Sequence, residues 1–248
     1  SYAEGYTVPD VGRITRAIGT PNIDLDNFLD IEPIVSNNRE IGVEVKRGPL
    51  DASATYFWSS SDKGQLLVQG ADRVFDVQRL RIELEGLEVN LGVQTPIEGL
   101  KLGIGYAHIK GKSDSDATRN APDGIVDTDL DGVNISPDRL NLSASFNRGR
   151  LSALVQSQFY LARTFHTDKP QEPGKPVQPD QRNNFGGYNV TDATVRYDTG
   201  LGGLRLSVQN LFNKQYIDYS SDTRLPTDVF AVFAGRGRTF TLGWDYRF

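Results

Sequence analysis

The sequence predicts an all-β fold of antiparallel, up-and-down strands of the transmembrane barrel type, and three observations predict it. The first is the chain's end. In Arg238–Phe248, residues Phe240, Leu242, Trp244, Tyr246 and Phe248 fall on one face, and Thr239, Thr241, Gly243, Asp245 and Arg247 on the other. Successive strand residues point to opposite sides, so this segment is greasy on one side and wet on the other. The closing strand of an outer-membrane barrel requires this, with aromatics at the membrane boundary. The second observation is that the connections alternate between short and long. The third is the polarity behind the apolar rows: Asn141, Ser143, Ser145 and Asn147 lie opposite Leu140, Leu142, Ala144 and Phe146, and Gln156 and Gln158 add to the polar set. Such residues are too polar for a packed sandwich core and suit a wide, watery interior. An edge strand of a soluble sandwich also alternates, but a sandwich has no reason to gather every long loop at one end.

Taken in order, period-two segments between turn signals give about ten strands. After a Ser1–Tyr6 tail come Arg39–Lys46, Ala52–Ser59, Val74–Gln94, Leu100–Lys110, Arg139–Asn147, Leu151–Phe165, Tyr188–Asp198, Leu204–Tyr219 and Arg238–Phe248. Gly12–Ile18 is a candidate helical turn. Arg47–Leu50, Thr95–Gly99, Asn147–Arg150 and Thr199–Gly203 are tight turns, whereas Thr7–Asn38, Ser60–Arg73, Gly111–Asp138, Thr164–Gly187 and Ser220–Gly237 are long and polar. Short periplasmic turns and long extracellular loops are the barrel pattern. The last strand then runs downward and leaves Phe248 in the periplasm. Leu100, Leu102, Ile104 and Tyr106 form another lipid-facing set. Val74–Gln94 is longer than a bilayer requires and is expected to project beyond the outer surface. Parity breaks near Asn210–Leu211, where a bulge is the simplest account.

The 248 residues suffice for one large β-domain or two ordinary ones. No stretch approaches the roughly 20 consecutive apolar residues of a transmembrane helix, which leaves a barrel open, because its strands need only about ten alternating residues. Cysteine is absent, so the chain has neither a disulfide framework nor a thiolate metal site. Methionine is absent too, even at position 1, and no charged-then-apolar leader opens the chain. The expectation is a fragment of a longer chain. Net charge is −5, from 27 basic and 32 acidic residues, with no basic patch dense enough for nucleic acid. Acidic residues gather in Asp114–Asp138, which marks an exposed partner surface.

Several segments, in order, resemble those of TonB-dependent outer-membrane receptors of the ferric siderophore type. Tyr2-Ala-Glu-Gly-Tyr-Thr-Val-Pro9 resembles the family's Y-x-x-G-F/Y-x-x-P, and Ile31-Glu-Pro33 through Glu40-Ile-Gly42 resembles L-x-P-E…E-x-G, with Ile34 where the family usually has Glu. Gly86-Leu-Glu88 is similar to a recurring G-x-E. Val208-Gln-Asn-Leu-Phe-Asn-Lys-Gln-Tyr216 is the most specific, similar to the penultimate-strand V-x-N-L-F-x-K-x-Y, and Gly237–Phe240 with the terminal Tyr-Arg-Phe248 completes the series. The resemblance covers essentially the whole chain. It implies the C-terminal part of a 22-stranded barrel, with the N-terminal plug, the TonB box and the early strands absent from residues 1–248. It further implies no catalysis, a ferric siderophore as cargo, energy coupling through TonB–ExbB–ExbD, residence in the outer membrane of a Gram-negative bacterium, and contacts with lipid, lipopolysaccharide and the outer-membrane assembly machinery. Trp244, Tyr246 and Phe248 then form the assembly signal. A passive porin-like barrel, a receptor for haem or cobalamin, and a soluble β-rich binding protein are the alternatives.

Arg13, Arg16, Arg163, Arg236 and Arg238, placed at extracellular strand ends, are candidate ligand residues, because guanidinium forks suit carboxylate and hydroxamate oxygens. Tyr56, Trp58, Phe159, Tyr160, Tyr216 and Tyr219 serve either as interface belt or as binding surface, with Tyr160 chosen among the ligand residues. Asp127, Asp129, Asp131 and Asp138, around Gly132, fit the spacing of a calcium loop, with Asp123 and Asn134 as helpers. Pro137 near its end, Asp in place of the bidentate Glu and the lack of flanking helices favour the plainer reading, a solvated acidic loop. His108 and His166 are the only histidines, and the loop Thr7–Asn38 that would carry a haem ligand has none, so haem is disfavoured. Two unclustered histidines also argue against a barrel hydrolase.

Overall fold

Strand follows strand in chain order along one antiparallel sheet. A computed structural model describes residues 1–8, 33–69, 75–115, 124–130, 132, 134–165, 184–223 and 232–246, the side chains of 65–78 excepted. Among them run β1 (Tyr2–Thr7), β2 (Ile34–Arg47), β3 (Leu50–Gln69), β4 (Phe75–Gln94), β5 (Leu100–Ser113), β6 (Thr128–Asp129), β7 (Arg139–Arg148), β8 (Leu151–Tyr160), β9 (Tyr188–Asp198), β10 (Gly202–Gln209) and β11 (Thr239–Tyr246), with one short helix, α1 (Tyr219–Asp222). The two-residue β6 is a side branch on β5; the other ten strands form an uninterrupted meander from β1 to β11. β1 and β11 end the sheet and do not pair with each other.

Register gives the sheet two chemically different faces. One row crosses eight strands as Leu50, Val93, Leu102, Ala144, Val155, Ala193, Val208 and Phe240, each paired with the next. The row one residue away reads Asp51, Gly92, Gly103, Ser143, Gln156 and Asp192. Large apolar residues of the first face are left bare, with Leu242 72% and Trp244 68% exposed. A water-facing sheet would not tolerate so broad an apolar face; hydrocarbon would. We call this the outer face and its opposite the inner face. The apolar band stops where the outer parity turns polar. There Glu85 accepts from the Tyr56 hydroxyl (2.7 Å) and meets Lys110 (3.4 Å), and Asp138 accepts from the Tyr106 hydroxyl (2.9 Å) beside His108 (2.6 Å).

Tight connections lie at one end, as the sequence predicts. Arg47 pairs with Leu50 and Arg148 with Leu151, each across a two-residue turn that places Gly48 or Gly149 at positive φ. At the other end the boundaries differ from expectation. β2 begins at Ile34 rather than Arg39, and β3 runs on to Gln69, so most of Ser60–Arg73 is strand. A register shift between Ser61 and Gly64 hides the period there, inside a polar Ser-Ser-Ser-Asp-Lys-Gly run. β4 projects as expected, pairing with β3 up to Gln69–Phe75. β8 stops at Tyr160 rather than Phe165, and β10 at Gln209 rather than Tyr219, while β6 and α1 lie in stretches read as loop. The candidate turn Gly12–Ile18 lies outside the described residues.

A bridge over a glycine ties the last three strands together on the inner face. Arg196 of β9 reaches Asp245 of β11 with both guanidinium nitrogens, at 2.6 and 2.9 Å, passing over Gly203 of β10. A methyl group on Gly203 would occupy the space of the guanidinium itself. Gly203→Ala and Asp245→Asn should therefore each lower the thermal unfolding midpoint of the detergent-solubilised protein slightly, as expected of a half-exposed pair. The double variant should be no worse than the weaker single one, because both remove the same bridge. Simple additivity would show that the bridge contributes nothing.

Candidate functional site

The site is built where β8, β9 and β10 end at the loop side of the inner face. β10 stops because Asn210 leaves the extended region for a left-handed conformation (φ 50°), with Asn213 doing the same (φ 51°) and the Asn213 amide closing the turn on the Asn210 carbonyl (2.8 Å). Asparagine tolerates this region better than other side chains with a Cβ. Here its side chain is also consumed: Nδ2 donates to the carbonyls of Lys214 (2.9 Å) and Arg236 (3.0 Å), and Oδ1 accepts the Lys214 amide (2.8 Å). Its own amide donates to the Asp192 carboxylate (2.8 Å), and the residue is buried. The expected bulge at Asn210–Leu211 is thus a strand terminus and turn. It redirects the chain so that Tyr216 returns over the inner face.

There three tyrosines form a column. Tyr160 ends β8, Tyr188 opens β9 directly opposite it, and Tyr216 follows the turn; ring centroids lie 4.6 Å apart in the first pair and 4.3 Å in the second, both stacked. Gly235 closes against the Tyr216 ring, where any side chain would collide. Behind the column Phe165, Phe185 and Tyr219 are buried together. Beside it opens a pocket of about 270 Å³ whose lining includes Gln158, Asp192, Tyr216, Asp218 and Arg236. Burial, and after it the Asp218 carboxylate, raises the Tyr216 hydroxyl above the ordinary phenol range. Asp218 accepts from the hydroxyls of Tyr188 (3.2 Å) and Ser220 (2.8 Å).

The loops around the pocket interlock. Leu130 and Ile135, from the connection between β5 and β7, are buried with Leu80 on the inner face. Gly132 of that connection touches Thr223, just past α1, closely enough that no side chain fits between. Arg163 donates to the Ser136 carbonyl (3.0 Å) and lies over the Phe165 ring. Loops rooted on β5, β8 and β10 therefore brace one another above the concavity between them.

The candidate residues fall in different places. Tyr160 and Arg236 meet at the pocket. Arg163 is the loop brace just described. Arg238 lies over Phe240, on the outer parity, and its amide donates to Asn213 (3.0 Å). Tyr56, Trp58 and Phe159 belong to the outer face, whereas Tyr160, Tyr216 and Tyr219 gather at the pocket and its backing cluster. Asp129 sits in β6 opposite Lys112, Thr128 donates to the neighbouring Asp127, and Asp138 is bound to Tyr106 and His108 lower on β5. Among the described residues no three carboxylates or histidines come together as a metal-binding group. Trp244 and Tyr246 stand exposed on the outer face. Arg13, Arg16, Asp131 and Phe248, with Asp123 and His166, lie outside the described residues. Tyr188, Asp192, Asn210 and Asp218 were not foreseen. Tyr188, Val190 and Asp192 share the inner parity, which is a signal the sequence does carry.

Comparison with known proteins gives a consistent picture. A family model described as "TonB dependent receptor-like, beta-barrel" matches residues 1–211. Similar solved structures include the copper transporter OprC (18% identity, TM-score 0.73), which covers 100% of this chain and 36% of its own. The FrpB iron transporter from Neisseria meningitidis (20%, 0.61) covers 88% of this chain and 32% of its own. The ferric-catecholate import receptor Fiu from K12 E. coli (20%, 0.57) covers 97% and 32%. The chain thus spans about a third of the length of these structures.

Asn210 should prove the keystone of the site. Asn210→Ala loses three side-chain hydrogen bonds and strains the left-handed turn, together about 3 kcal/mol of local stability. Hydrogen exchange at the Lys214 amide should accelerate about a hundredfold if local opening controls it. Asn210→Gly, which keeps the backbone at ease, should accelerate it less. An unchanged Lys214 amide in both variants would remove Asn210 from this role.

Proposed function

The chain belongs to the TonB-dependent receptor-like β-barrel family, outer-membrane transporters rather than enzymes, and from that premise we propose that it serves TonB-energised uptake of a ferric siderophore. The observation that carries the reading is the inner-face pocket. Rings and polar groups from three separate segments converge at the loop end of a wall whose other face is suited to lipid. A cargo arriving from outside meets this surface first. In the proposal it binds the loops and the inner wall, and energy from TonB–ExbB–ExbD, delivered outside residues 1–248, then releases it inward. The similar structures named for iron and for ferric catecholate support an iron cargo.

The structure named for copper favours a second reading, but residues 1–248 by themselves offer no soft ligand for a bare Cu(I) ion. Thiolates and thioethers select Cu(I), and the chain holds neither cysteine nor methionine. A chelated metal, recognised through the organic ligand around it, suits hydroxyl, carboxylate, guanidinium and aromatic groups better.

The test uses the intact gene, expressed in an iron-starved host stripped of its own receptors. Growth is scored on ferric hydroxamates, ferric catecholates, ferric citrate-type chelates, haem and cobalamin. Rescue by one ferric chelate is expected, with uptake lost when TonB is deleted. Growth restored by none of the ferric chelates, with the protein present in the outer membrane, would sink the proposal. Rescue that persists without TonB would point to a passive barrel.

A further inference from the structure

Resting on the uptake reading, the geometry points to a more specific cargo: we infer that the pocket beside the tyrosine column takes an ammonium-bearing arm of the chelate. The pocket's charges favour a cation. Two acidic residues, Asp192 and Asp218, line it against one basic residue, Arg236. Asp192 receives the amide of Asn210, and Asp218 receives two hydroxyls. All of these donors are neutral, and among the described residues no cation pairs with either carboxylate. Two partly satisfied negative charges on one wall are a standing attraction for a cation small enough to enter.

The remaining lining fits the same guest. The hydroxyls of Tyr160 and Tyr188, although each donates a hydrogen bond, keep lone pairs that can accept one from an ammonium group. Gln158 offers a further carbonyl, although its Oε1 also receives the Tyr160 hydroxyl (3.3 Å). Size limits what enters. A volume of about 270 Å³ lies at the bottom of the range for whole small-molecule ligands. It admits an alkylammonium arm and leaves the bulky iron centre outside, toward the exposed Arg236, whose guanidinium suits the chelate's anionic oxygens. A chelate without such an arm would leave Asp192 and Asp218 without a cationic partner.

The test compares two chelates with the same iron centre: a linear ferric trihydroxamate ending in a primary ammonium, and its N-acetylated form. Binding to the purified intact receptor is measured for both. The ammonium form should bind at least tenfold more tightly. Asp218→Asn, which keeps size and an acceptor oxygen, should erase most of that difference by weakening the ammonium form; Asp192→Asn should do likewise. Equal binding of the two forms by the unaltered protein would overturn the inference and leave iron uptake intact. Growth rescue only by a chelate that lacks an ammonium group would overturn it in the same way. If no ferric chelate binds or rescues growth, both readings fall together.

Discussion

Inside a bilayer no water is present to hydrogen-bond a stray amide or carbonyl, and each one left unmet costs several kcal/mol. That cost exceeds the roughly 1 kcal/mol range of strand propensities, so the ladder of paired strands comes first and residue preference second. Once paired, the strands are bound to a period of two. A slip of one residue between any two of them would turn Leu102 or Val155 inward and Gly103 or Gln156 toward lipid. The eight-strand apolar row from Leu50 to Phe240 shows the register held without a slip across that distance. Everything else in the fold is arranged around that row.

Beyond the membrane the constraint relaxes, and it is there that the chain departs from the period. The shift between Ser61 and Gly64, the end of β10 at Asn210 and the short strand β6 all lie on the loop side of the apolar row. Asn210 shows how a departure becomes a site. Its left-handed backbone would strand neighbouring polar groups, and its own side chain satisfies them. In doing so it returns Tyr216 to the column and holds the Arg236 backbone at the pocket. The binding surface is thus a product of the one place where β10 is made to stop.

The same division explains what could be read from the sequence. The β class, the antiparallel meander, the lipid-facing sets on β5 and β7 and the tight turns all follow from alternation and turn residues, and all are found in place. The family resemblance rested on short segments such as Val208–Tyr216, and the match over residues 1–211 agrees with it. Strand ends were less legible, because a register shift or a left-handed asparagine leaves alternation ambiguous on either side. The site was legible only in part. Tyr160 and Arg236 were chosen for side-chain type and position at strand ends, and they do line the pocket. The same reasoning could not tell that Arg163 would be occupied by a carbonyl or that Arg238 would lie on the outer side of Phe240. Which loop folds onto which is a long-range fact, and nothing local in the sequence encodes it.

The contact of Arg196 with Asp245 across Gly203 joins strands that are not neighbours. In a meander each strand ordinarily senses only the one before and the one after, so an error at the last hairpin would pass unnoticed by the rest. Here β9 samples the position of β11 directly. If β11 docked one residue out of step, Asp245 would face the hydrocarbon and Arg196 would be left holding nothing. The bridge therefore ties the phase of β11 to that of β9. It forms only in the docking in which β11 is both paired with β10 and in phase with β9.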